Sequence, residues 1–154
     1  MRARPLVRPL SIGLSLVAAL SCGEPTAPLD TGGTYALVRI AGEALPAPSF
    51  ESEFVRVASV ADTLRFYPDG TGSSAVVQRV ELPPGGAPEE MRFASPFHYR
   101  VDGVRVEIDF DCPPNASCVA PPHMVGRLTS TGIRFDFVLQ SRVPQDYASV
   151  APSP

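Results

Sequence analysis

Apolar and polar residues alternate without a fault along residues 104–111 (VRVEIDFD), which puts Val104, Val106, Ile108 and Phe110 on one side of an extended chain and Arg105, Glu107, Asp109 and Asp111 on the other. Such a strand is half buried and half wet. Residues 133–139 (IRFDFVL) repeat the pattern, with Ile133, Phe135, Phe137 and Leu139 assigned to the buried side. Weaker alternation predicts strands at 35–40, 54–60, 63–67, 74–82, 91–101 and 124–129.

The connections carry turn chemistry. Asp102-Gly103 separates two alternating runs as a two-residue turn that needs positive φ at both positions, and Pro68-Asp69-Gly70 and Ser130-Thr131-Gly132 punctuate neighbouring pairs. Eighteen prolines leave almost no central stretch long enough and regular enough for a helix, and residues 82–90 (LPPGGAPEE) read as a loop. The expected fold is therefore all-β, a single antiparallel meander. About eight strands with one apolar face each must close into an up-and-down barrel or, alternatively, fold over as a β-sandwich.

The first residues change the picture of where this domain resides. Arg2, Arg4 and Arg8 precede an apolar run, LSIGLSLVAAL, and then Ser21-Cys22-Gly23, the order of a secretory signal. The run is shorter than the roughly 20 residues that cross a bilayer, so residues 1–21 are expected to be removed. Residues 19–22 (ALSC) resemble the lipobox of bacterial lipoproteins, although Ala19 stands where leucine is usual. The resemblance implies lipidation of Cys22, and Gly23, in place of a retention aspartate, implies the outer membrane; an ordinary leader with an unmodified Cys22 is the alternative. Residues 22–31 are expected to be a flexible tether, 32–142 the β domain, and 143–154 a disordered or loosely packed tail.

Loss of three leader arginines takes the formal charge from -3 to -6. An acidic surface is repelled by phosphate backbones, so nucleic acid is not an expected partner. With Cys22 assigned to lipid, Cys112 and Cys118 remain as an even pair bracketing Pro-Pro-Asn, which reads as a local disulfide in an oxidising compartment. A zinc site from Cys112, Cys118, His123 and His98 fits less well, because the gap between the cysteines departs from the usual ligand spacing.

Other chemistry is sparse. His98, between Phe97 and Tyr99, is expected to point outward, and no serine-nucleophile elbow is present. Glu107, Asp109 and Asp111 form a solvated face rather than a calcium cage. Phe54, Phe66, Phe93, Phe97, Phe110, Phe135 and Phe137 are expected to fill the interior, yet a barrel of this size can also hold one small ligand. Ala75, Ala94 and Gly126 are the small residues that hint at a hollow.

Residues 33–47 (GTYALVRIAGEALPA), the L-x-F-x-x-D-G pattern at 64–70 and the Asp102-Gly103 hairpin resemble a group of uncharacterised bacterial lipoproteins and, more loosely, lipocalin-like domains. Ala41 departs from the group, which often has Asn before the glycine. The resemblance implies a lipocalin-like barrel and transfers neither a ligand nor a site. The expected function is a non-enzymatic envelope lipoprotein, anchored to a membrane through lipid on Cys22, that holds a small apolar ligand or meets another envelope protein. No catalytic, metal or cofactor residues are assigned. The rival readings are a small hydrolase or metal-dependent enzyme using His98 or His123, and a purely structural envelope protein.

Overall fold

The computed structural model describes residues 32–82, 85–112, 122–138 and 142–150. Residues 1–21, Cys22, the tether at 22–31, Cys118 and Leu139 lie outside them. Ten strands follow one another: β1 (Gly33–Ile40), β2 (Glu43–Ala44), β3 (Ala47–Glu51), β4 (Arg56–Phe66), β5 (Thr71–Glu81), β6 (Glu89–Asp102), β7 (Arg105–Phe110), β8 (His123–Thr129), β9 (Gly132–Val138) and β10 (Gln145–Val150). From β4 to β10 each strand pairs antiparallel with the next, β10 pairs with β1, and β1 pairs with β4. That last pairing closes an eight-stranded, lipocalin-like antiparallel barrel, to which β2 and β3 are additions on the β1–β4 connection.

Three bulges in the barrel strands decide which of their side chains point inward. Ser59 pairs with Gln78 and Ala61 with Val77, so Val60 is an extra residue and the inward parity switches along β4. Val57 and Ser59 thus share a face with Asp62, Leu64 and Phe66. The two strands expected at 54–60 and 63–67 are one strand whose alternation is broken by this bulge. In β9, Phe135 pairs with Gly126 and Phe137 with Val125, leaving Asp136 as the extra residue. Phe137 is therefore turned out of the core and Val138 is buried instead, correcting the expected inward position of Phe137. Val38 plays the same part in β1, between Leu37 and Arg39.

Two further expectations are corrected. The stretch 143–154 is no loose tail as far as Val150: β10 is a barrel stave, held between β1 and β9, with Tyr147 in the core. Its low density of large apolar residues concealed it. The turn after β6 is Gly103-Val104, one residue later than expected, because Asp102 pairs with Arg105. Gly103 takes a φ of 58° and Val104 does not, so glycine at the first turn position satisfies the geometry and leaves Val104 exposed.

The two ends of the barrel differ. One carries the tight connections at 67–70, 103–104 and 130–131, together with the start of β1 and the end of β10. There Phe66 meets Tyr35, Phe97 and Tyr99 edge-on at centroid distances of 5.5, 5.3 and 4.9 Å, a geometry that aligns positive ring edges with negative faces. Gly72 makes room for this plug: a Cβ on it would stand 2.2 Å from the Phe97 ring. Leu64, Val106, Ile108, Ile133 and Phe135 complete the filled half. The other end carries the long connections at 41–55, 82–88, 111–122 and 139–144.

At that second end β4, β5 and β6 outrun their neighbours. Residues 56–59 of β4 pair with β3 rather than β1, and β6 pairs with β7 only over 97–102. A four-stranded apron thus rises on one side of the barrel. Phe50, Met91 and Phe93 stand on its inner face by register with Val57, Gln78 and Val76. Phe54 and Phe93 are exposed rather than core-filling, as are Phe50, Leu82 and Met91.

Candidate functional site

The half of the barrel opposite the aromatic plug is hollow, with a cavity of about 650 Å³. This is within the range that small-molecule sites usually occupy. Leu37, Ile40, Val57, Val76, Met124 and Val138 supply its apolar walls. Ser59, Ser74, Ser95, Gln78, Gln145 and Tyr147 supply a polar band. The space exists because inward positions on β4, β5 and β6 change from Leu64, Gly72 under the Phe97 ring, and Phe97 itself to Ser59, Ser74 and Ser95 as the strands leave the plug. Serine removes the volume that would otherwise fill an eight-stranded barrel.

Asp62 is the charged centre of this wall. The Tyr147 hydroxyl donates to its Oδ2 at 2.7 Å, and the Ser74 hydroxyl lies 3.4 Å from its Oδ1. Burial pushes the carboxyl above the ordinary aspartate value of 3.8, while hydrogen bonds from Tyr147, Ser74 and the Thr63 amide pull it back. Tyr147 is held well above the usual phenol value by burial and then by the negative charge of Asp62. The phenol therefore remains a neutral donor at physiological pH. Gln145 Oε1 lies 3.1 Å from the same hydroxyl. A phenol has one proton, and when Asp62 takes it the Gln145 amide satisfies the contact by presenting its NH₂ instead.

Of the polar candidates named in the sequence, Asp111 lines the cavity, and the other described ones stand elsewhere. His98, Asp109 and His123 are cross-strand neighbours on the outer face of β6, β7 and β8. His123 Nδ1 lies 2.6 Å from Asp109 Oδ1, and His98 Nε2 lies 3.4 Å from Asp111 Oδ1 with its side chain 67% exposed. Both histidines thus reach carboxylates, but neither histidine lines the cavity. Among the described residues no three metal-capable side chains converge. Glu107 is held below the usual carboxylate range by hydrogen bonds from Arg105 and Arg100, so the acidic stripe on β7 is answered by arginines and histidines. Cys112 follows the end of β7, and its expected partner Cys118 lies outside the described residues.

The small residues taken as hints of a hollow are not its cause. Ala75 and Ala94 oppose each other on the outer face, and Gly126 lies beneath Phe135, where a Cβ would stand 2.7 Å from the ring. Sequence reasoning missed Asp62, Tyr147 and the serines. One signal was available: continuing the alternation of Phe66 and Leu64 back by one step places Asp62 on the inner face. In comparisons with known proteins, no family model matches this chain, and neither does any curated protein or solved structure.

Proposed function

We propose that this protein is a non-enzymatic envelope lipoprotein that carries a small, largely apolar molecule in the hollow half of its barrel. The observation that supports it is the cavity itself: about 650 Å³ with apolar walls and a confined polar band, the composition of a small-molecule site. The inner face of the apron, with Phe50, Met91 and Phe93 exposed, extends the apolar surface outward from the cavity and offers an entry path.

The lipobox-like segment supports an anchor at Cys22, and Cys112 and Cys118 are proposed to form a disulfide. Because β1 begins at the plugged end, a tether at 22–31 leads to that end. An anchor at the plugged end leaves the cavity accessible to molecules in the surrounding compartment. Mass spectrometry of the protein isolated from bacterial cells tests both parts. Denaturing conditions should show a diacylglyceryl-sized addition on Cys22, and native conditions a further non-covalent mass that leaves on activation. An unmodified Cys22 removes the anchor, and a bare chain from several preparations counts against a carrier.

A further inference from the structure

The charges around the cavity are unbalanced. Among the described residues its lining contains two carboxylates, Asp62 and Asp111, and no Arg, Lys or His. Asp111 lies 3.4 Å from His98 Nε2, on the outer wall. Among the described residues Asp62 faces neutral donors: a phenol, a hydroxyl and a backbone amide. Burying a carboxylate without a cation is costly, and neutral donors compensate it only in part. Thirteen arginines are present in the chain, yet those on β4 and β5, Arg56, Arg65 and Arg79, stand on the outer parity and do not line the cavity.

We propose that the cargo of this cavity is a cationic amphiphile, whose apolar body lies against Leu37, Val76 and Met124 and whose protonated amine donates to Asp62. This rests on the carrier function proposed above and names its ligand class. The ammonium supplies the positive charge that the protein omits, and a charge-assisted hydrogen bond in a partly desolvated site is among the stronger polar contacts available. Tyr147 and Ser74 hold the carboxylate in place without competing for its charge. The same arrangement rejects fatty acids, because a second carboxylate beside Asp62 meets like-charge repulsion.

The test is a competition titration with the full chain carrying Cys22→Ala, which removes the lipid and the need for detergent. Decylamine, decanol and decanoate share an apolar body and differ at the head, and each is measured by displacement of a neutral naphthyl fluorophore. The amine is expected to bind about tenfold or more tightly than the alcohol, and the carboxylate more weakly than either. Asp62→Asn keeps an acceptor for Tyr147 and should bring amine and alcohol to within about twofold. Equal binding of amine and alcohol by the protein with Asp62 intact overturns the cationic ligand while leaving the carrier function standing. Failure of the fluorophore and of all three competitors to bind overturns the carrier function itself.

Discussion

Asp62 occupies a position where the surrounding core would favour an apolar or neutral side chain, and this has a consequence for stability. An aspartate whose pKa is higher in the folded than in the unfolded chain makes the native state bind more protons between the two values. Its contribution therefore worsens as pH rises through that window. Asp62→Asn retains the contact with Tyr147 and removes the buried charge, so it should melt at a higher temperature than the parent at pH 7. The gain should vanish as pH falls below 3.8, where Asp62 is protonated in both states. Thermal melts of the pair across this range measure it; a lower melting temperature for Asp62→Asn at neutral pH would contradict the burial of an uncompensated charge. Stability given up at a single internal residue, with no structural partner that repays it, is a common mark of a binding site.

At the scale of strands and turns, local chemistry and pairing disagree at instructive places. The β1–β2 connection is Ala41-Gly42, with φ of 53° and 88°, since Ile40 pairs with Glu43. Left-handed backbone at both positions is the geometry of a type I′ turn, in which alanine is strained and asparagine is at home. Ala41→Asn should raise unfolding stability by about 0.5–1 kcal/mol, measured by urea denaturation. A destabilised variant would mean that the turn is shaped by something other than its own backbone preference. Period-two burial was enough to foresee β7, whose Val106, Ile108 and Phe110 face inward as expected, and the all-antiparallel meander that follows from tight turns. It failed where a bulge adds one residue, because a shift of parity leaves no mark in composition: Val60 and Asp136 each reversed the facing of what lies beyond them. It failed again at β10, where the inward residues are Gln145 and Tyr147 rather than an aliphatic pair. The cavity was illegible for the same reason, since serine on a strand signals solvent unless the register is known.

Considered whole, the molecule divides its labour along the barrel axis. The plugged half supplies the close-packed aromatic and aliphatic core that holds eight short staves together, and the hollow half gives up packing for space. β1 begins and β10 ends at the plugged half, so the proposed anchor at Cys22 would leave the cavity and its apron free. Titration of a neutral naphthyl fluorophore into the Cys22→Ala chain, beside the same chain with Val76→Trp, tests the hollow directly. Val76 lines the cavity on β5, and an indole there takes up part of its apolar space while the plug is untouched. Saturable one-to-one binding that the tryptophan weakens, with strand content and melting temperature preserved, is the result expected of a hollow barrel. Binding that survives Val76→Trp unchanged, or no binding by the parent, would contradict it.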